Sequence, residues 1–133
     1  MLQIVESVCS GPIRFLPDLS SGHKFKTGLV VQLVETSDGT PKCCISDGSR
    51  PFGIIGENLE MQPFGLIPVW FETMILRTDV FEKKGATYEM GDALYINKRG
   101  MISSIRPFEN SFQVGYVIAG PGDGRRYIEL NWT

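Results

Sequence analysis

The sequence predicts an all-β fold, a compact β-barrel or β-sandwich of about 9–11 short strands. Fifteen glycines and eight prolines interrupt the 133-residue chain at short intervals, which leaves little room for helices. The segments between these interruptions are short, rich in Val, Ile, Tyr and Phe, and separated by turn sequences at regular spacing. This pattern is typical of a sheet whose strands follow one another closely along the chain.

An internal repeat is the second observation that favours a β-fold. Gly28 opens the run Gly-Leu-Val-Val-Gln-Leu, and Gly91 opens Gly-Asp-Ala-Leu-Tyr-Ile, 63 positions later. Gly53 and Gly115 lie in the strands that close the two copies, 62 positions apart. Glycine at a strand start or bend allows a positive φ or the close approach of another strand, so we expect an architectural role for all four.

The repeat sets the expected domain organisation. Its two halves lie at about residues 27–58 and 90–121, within one β-domain of residues 27–133. Two copies are too few for a solenoid, and they suit the two halves of a single barrel. A chain of 133 residues also has the length of one domain with a sizeable core.

Residues 1–26 precede the repeat and are expected to form an irregular N-terminal arm. A short strand is predicted around Gln3–Val8, and irregular chain is predicted after it. Because such an arm lies outside the β-domain, we expect removal of its first 16 residues to leave a folded domain.

Turn sequences place the strands of the β-domain in order. Ser37-Asp38-Gly39 predicts a hairpin in the first half, and Gly120-Pro-Gly-Asp-Gly124 predicts the turn before the last strand. Val69–Lys84 is rich in β-branched and aromatic residues, which favours one or two strands over a helix, although some apolar residues fall at helical spacing. The other predicted strands are Leu29–Glu35, Lys42–Ser46, Phe52–Ile55, Ala93–Asn97, Met101–Ile105, Gln113–Ala119 and Tyr127–Trp132.

Charge and composition exclude several classes of partner. Thirteen basic residues against fifteen acidic ones give a net charge of −2. Nucleic-acid-binding proteins usually carry a basic surplus, so no nucleic acid partner is expected. No apolar stretch approaches the ~20 residues that cross a bilayer, and no signal peptide is recognised, so no membrane partner is expected. Three cysteines (Cys9, Cys43 and Cys44) are expected to be reduced thiols, which favours synthesis in a cytoplasm.

No set of residues predicts catalysis, and we expect the protein not to be an enzyme. His23 is the only histidine, and no motif links it to a nucleophile or to a second metal ligand. Cys43-Cys44 lacks the C-x-x-C spacing of zinc sites. Asp38 and Asp47 lie in Asp-Gly turns, where the side chain bonds the local backbone. We therefore predict no catalytic, metal-binding or cofactor-binding residues.

Apolar residues in segments predicted as arm or loop are a less ordinary feature. Loops are normally exposed, so apolar side chains there indicate burial against a partner. The alternative is that both segments fold back over the ends of the barrel, and the sequence leaves both interpretations open. The candidate partner-interface residues are Ile4, Val5, Ile13, Phe15, Leu16, Leu59, Met61 and Phe64.

One set of motifs spans most of the chain. In the second half it comprises Thr78-Asp-Val-Phe-Glu, Tyr88-Glu-Met-Gly-Asp-Ala-Leu-Tyr-Ile-Asn, Gly100, Val114-Gly-Tyr-Val and Pro121. In the first half it comprises Gly28-Leu-Val-Val-Gln-Leu and Pro51-Phe-Gly-Ile. This set resembles small virion structural proteins of tailed bacteriophages, and is most similar to the capsid decoration, or cement, group.

The resemblance implies a non-enzymatic protein on the outside of a phage head, made in the host cytoplasm. It implies that the protein bridges subunits of the major capsid protein, as a homo-oligomer (a trimer or dimer). Another β-structured virion component, of the tail, baseplate or fibre, is the first alternative. A ligand-binding or nucleic-acid-binding β-barrel is the second.

Overall fold

Eleven strands make up the regular structure of the computed structural model, which describes residues 1–133. Two short 3-10 turns, Leu19–Ser21 and Leu59–Met61, are the only helical segments. The all-β prediction is therefore confirmed, with a strand number inside the expected range. The strands are β1 Leu2–Ser7, β2 Ile13–Pro17, β3 Val30–Val34, β4 Lys42–Ile45, β5 Gly53–Ile55, β6 Ile67–Trp70, β7 Met74–Thr78, β8 Ala93–Ile96, β9 Ile102–Ser103, β10 Gly115–Ala119 and β11 Ile128–Trp132.

The strands form two sheets. Five of them close into a barrel in the order β2-β4-β3-β5-β6. The other six form a sheet in the order β1-β7-β11-β10-β8-β9. Neighbouring strands are antiparallel throughout, except that β2 and β4 run parallel where they close the barrel. Sequential hairpins explain most of this topology, because short turns connect antiparallel neighbours.

The backbone hydrogen bonds confirm the internal repeat. The Gly28 N–H donates to Ile55 O at 2.9 Å, and the Gly91 N–H donates to Val117 O at 2.8 Å. Two further bonds recur at the same spacing. The Ile55 N–H donates to Leu29 O, as the Val117 N–H donates to Asp92 O. The Phe52 N–H donates to Val31 O, as the Val114 N–H donates to Leu94 O. The two copies therefore share one pairing register and not merely a similar sequence.

The repeated unit is larger than the sequence predicts. The strand order β4-β3-β5-β6-β2 in the barrel recurs as β9-β8-β10-β11-β7 in the six-stranded sheet. Phe15 pairs with Ile67 in the first unit, and Thr78 pairs with Ile128 in the second. The parallel β2–β4 contact also has a counterpart, an isolated parallel bridge between Phe81 and Ile102. The molecule is thus built from two five-stranded units, to which β1 adds one edge strand.

The two units share part of their core. A cluster of seven buried residues, which includes Phe25, Ile55 and Val69, fills the barrel. A larger cluster of 14 buried residues fills the second unit, and it includes Val30 and Ile54 from the barrel strands. Burial of this apolar surface is the main stabilising contribution to the fold.

The expected irregular arm is wrong for residues 13–17. This segment is strand β2, which pairs with both β6 and β4 and so completes the barrel. Residues 2–7 form strand β1, close to its predicted position, and pair with β7. β2 is difficult to predict from the sequence because Pro12 precedes it, Pro17 is its last residue, and its residues do not alternate simply. Deletion of the first 16 residues would open the barrel, so it is not a conservative truncation.

The remaining strand predictions agree with the structure to within about two residues. Val69–Lys84 contains the end of β6 and the whole of β7, so the strand interpretation is confirmed and the helical alternative is wrong. In the final strand Ile128, Leu130 and Trp132 are buried, as their alternation with polar residues predicts.

The repeated glycines have the two roles that were expected. Gly28 and Gly91 both have a φ of +89°, a conformation that residues with a Cβ rarely adopt. Gly53 and Gly115 lie where two strands approach closely. A Cβ at Gly53 would lie 2.6 Å from Trp70 O, and a Cβ at Gly115 would lie 1.8 Å from Asn131 O.

Gly115→Ala should therefore lower the free energy of unfolding by about 3 kcal/mol, because the new methyl group must push β10 away from β11. Gly122→Ala is the matched control, since Gly122 has a similar φ (+151° against +159°) but open space around its Cβ position. We expect a loss of about 1 kcal/mol for the control. Urea unfolding followed by circular dichroism measures both values, and equal losses would contradict the close approach.

Candidate docking loop and paired clefts

The eight candidate interface residues divide into two groups. Ile4 packs against the larger core cluster, and Phe15 and Leu59 pack against the barrel cluster, so these three stabilise the fold. Phe15 also makes an edge-to-face contact with Phe52, with ring centroids 5.5 Å apart. The other five are exposed: Val5, Ile13, Leu16, Met61 and Phe64.

The loop between β5 and β6 carries the most exposed of these side chains. Met61 is 72% exposed and Phe64 is 85% exposed. The base of the loop is fixed: the Leu59 N–H donates to Phe25 O at 3.0 Å, and the Thr27 N–H donates to Asn58 Oδ1 at 2.7 Å. The loop therefore folds back over the barrel at Leu59 and presents Met61 and Phe64 to solvent.

Phe64 also lines a cavity between this loop and β2. This cavity has a volume of about 320 Å³ and is lined by Arg14, Gln62, Pro63, Phe64 and Leu66. Arg14 belongs to β2, so the strand that the sequence hides supplies a cation beside an exposed aromatic ring. We call Met61 and these five lining residues the loop patch.

A cleft also lies against the base of the same loop. We call it the first cleft. Its volume is about 250 Å³, and it is lined by Leu19, residues 23–26 and residues 58–60. The 3-10 turn at Leu59–Met61 forms one wall, and the chain that leads into β3 forms the other. The exposed His23 lies here, so the only histidine lines a cleft but faces no nucleophile.

The second unit has a larger cleft in the equivalent place. This second cleft has a volume of about 680 Å³ and is lined by Phe81, Lys83, residues 86–89, Pro121, Arg125 and Arg126. Tyr88 lies 63 positions after Phe25, and the loop between β10 and β11 replaces the loop between β5 and β6. The repeat has therefore duplicated a cleft as well as a set of strands.

Both clefts carry more basic than acidic side chains. Lys24 and Lys26 line the first cleft with Glu60, while Lys83, Arg125 and Arg126 line the second with Glu89. None of these five cations takes part in the three ion pairs of the molecule. Lys83 Nζ instead donates to Asp79 O at 2.8 Å and lies 4.4 Å from the centre of the Phe81 ring. The clefts thus concentrate positive charge on a chain whose net charge is −2.

The carboxylates in turns bond their own backbone, as the sequence predicts. Asp38 accepts hydrogen bonds from the Thr36 hydroxyl and from the Thr40 N–H, and these bonds lower the pKa of its carboxyl. Hydrogen bonds from the Ser49 hydroxyl and N–H lower the pKa of Asp47 in the same way. No group of three or more His, Cys, Asp or Glu side chains is placed to hold a metal ion.

The thiols and the buried phenol keep their protons at neutral pH. Burial raises the pKa of the Cys43 thiol to about 12, and a hydrogen bond to Glu72 raises the pKa of Cys9. Burial is also the main reason that the pKa of Tyr88 is raised to about 12. A protonated thiol is a poor nucleophile, so the cysteines are suited to packing more than to chemistry.

The chain matches no protein-family model and no curated protein sequence. None of its helical segments has the length and apolar character that a membrane-spanning helix needs.

The raised pKa of Cys43 predicts a loss of stability in alkali. The folded state holds the thiol proton up to about pH 12, whereas the unfolded chain releases it near the usual pKa of 9.0. The free energy of unfolding should therefore fall as pH rises from 9 towards 12. Cys43→Ala should make this fall shallower.

Urea unfolding at a series of pH values between 8 and 11 measures the free energy of unfolding. This series covers the pH at which the unfolded chain begins to release the Cys43 and Tyr88 protons while the folded state still holds them. Cys44→Ala is the control, because Cys44 is only partly buried and its removal should change the pH dependence less. An unchanged dependence in Cys43→Ala would rule out this thiol as a source of alkaline destabilisation.

Proposed function

We propose that this chain is a non-enzymatic structural protein of a tailed-phage virion, which binds the outside of the capsid and bridges neighbouring major capsid protein subunits. The observation that supports this proposal most directly is the loop patch. It combines an exposed methionine and an exposed phenylalanine with a fixed loop base. The motif resemblance supplies the identity of the partner.

A fixed loop is suited to adhesion because little conformational entropy is lost when it binds. Aromatic side chains that enter a pocket on a partner commonly provide much of the binding free energy at protein interfaces. Phe64 has this character, and Arg14 beside it offers a cation for a carboxylate at the rim. The loop patch is therefore the surface that we assign to the capsid.

Symmetry would multiply this modest contact. A phage head presents the same surface many times, and a dimer or trimer of this chain would engage several capsid subunits at once. The effective concentration of each further contact is then high, so avidity replaces a large single interface. We propose a homo-oligomer of this kind, assembled in the host cytoplasm and carried on the virion.

Phe64→Ser should weaken binding to capsid shells at least about tenfold, because the variant loses its main apolar anchor. Phe112→Ser is the matched control: Phe112 is also highly exposed (61%) but lies in the loop before β10. Co-sedimentation of the purified protein with expanded shells measures binding, and circular dichroism checks that both variants fold.

Equal binding by Phe64→Ser and wild type would exclude the loop patch as the contact surface. Failure of the wild type to sediment with any shell would overturn the capsid proposal. Labelled antibody that decorates tails under the electron microscope would assign the protein to the tail, baseplate or fibre instead.

A further inference from the structure

We propose that the second cleft is a binding site for an acidic, apolar peptide segment of a partner protein. The inference concerns a different surface from the loop patch, and it holds whichever assembly the protein joins. It rests on the comparison of two equivalent clefts, one of which is narrowed by a loop of its own chain.

The first cleft shows what such a site accepts. Leu59 forms part of its wall and packs against the barrel core, and its N–H donates to Phe25 O at 3.0 Å. Glu60 follows Leu59 at the same cleft, where Lys24 and Lys26 provide positive charge. An apolar side chain followed by a carboxylate thus forms one side of the first cleft, opposite Phe25 and two lysines.

The second cleft lacks these two side chains. At the 62-residue spacing, Pro121 takes the position of Leu59 and Gly122 takes the position of Glu60. Proline has no N–H to donate to the facing strand, and glycine has no side chain to place in the cleft. The second cleft is accordingly much larger, at about 680 Å³ against about 250 Å³.

The walls of the second cleft match the same type of ligand. Apolar surface comes from Ala86, Pro121 and the small exposed parts of Phe81 and Tyr88, and Phe25 contributes a similarly small part to the first cleft. The positive charge is greater, because Lys83, Arg125 and Arg126 face a single lining carboxylate, Glu89. Two guanidinium groups without an ion-pair partner are well suited to carboxylates, which they bind through paired hydrogen bonds.

The geometry favours a peptide over a nucleic acid. Single-stranded nucleic acids bind by stacking bases on exposed aromatic faces. Phe81 and Tyr88 are only 4% and 8% exposed, and their rings pack edge-to-face against each other with centroids 5.0 Å apart. Their exposed atoms form an apolar wall and not a stacking platform.

The chain itself supplies the probe for a test. The peptide Glu-Asn-Leu-Glu-Met-Gln, which corresponds to residues 57–62, contains the loop residues that line the first cleft and have no equivalent side chains in the second. With a fluorescent label and blocked ends, it should bind the full-length protein, as measured by fluorescence anisotropy. Arg126→Glu should weaken this binding about tenfold, because it removes one cation of the second cleft and adds a repulsive charge.

Lys24→Glu is the matched control, since it makes the same change of charge in the first cleft, which the loop already narrows. It should leave peptide binding within about twofold of wild type, because it reverses a charge outside the second cleft. A second peptide with both glutamates replaced by lysine should not bind, and a third with leucine replaced by serine should bind more weakly. Arg126 is exposed and unpaired, so Arg126→Glu should remain folded, which circular dichroism verifies.

No binding of the first peptide to wild type at millimolar concentration would overturn the proposal. Equal weakening by Lys24→Glu and Arg126→Glu would also overturn it, since binding would then reflect overall charge. Displacement of the peptide by a ten-residue oligothymidylate at lower concentration than by unlabelled peptide would reassign the cleft to nucleic acid. None of these measurements involves capsid shells, so their result is independent of the virion proposal.

Discussion

The close approach of neighbouring strands at Gly53 and Gly115 is the constraint on which the rest of the molecule depends. At both positions the space that a Cβ would fill is taken by the backbone of the next strand. This contact holds β5 against β6 and β10 against β11 at the ends opposite the connecting loops, and so supports the strand pairs from which the two loops extend. One loop bears the loop patch, and the other forms a wall of the second cleft.

Much of the fold follows from the sequence, because glycine spacing and turn residues record it directly. The 62- and 63-residue spacings identify the strands that share a pairing register. The sequence shows no such correspondence between the outer strands of the two units. Strands β2 and β7 are equivalent in the structure, yet Ile-Arg-Phe-Leu-Pro and Met-Ile-Leu-Arg-Thr share no pattern. β7 buries alternate residues in the core, whereas no residue of β2 is fully buried, so the two strands are not held to the same apolar pattern.

The candidate surface is harder to predict than the fold. Some apolar residues in loops pack against the core and others are exposed to a partner. The sequence alone does not distinguish Leu59, which packs against the barrel core, from Phe64, which is exposed. The sequence does not predict the clefts, because each is lined by residues from segments about 35 positions apart. The 63-residue spacing between Phe25 and Tyr88 was the one available signal. Its meaning depends on the loop opposite, where Pro121 and Gly122 stand in place of Leu59 and Glu60 and leave a larger cleft.

The pairing of β1 with β7 also has a consequence for biosynthesis. Leu2 pairs with Thr78, so the first strand must wait for a partner that is translated much later. At roughly 5–20 residues per second, this delay is about 4–15 s. All the strands of the barrel have been translated by residue 70, so the barrel can form on the ribosome while β1 is still unpaired. During that interval Ile4 and Val5 remain available to chaperones or to neighbouring nascent chains.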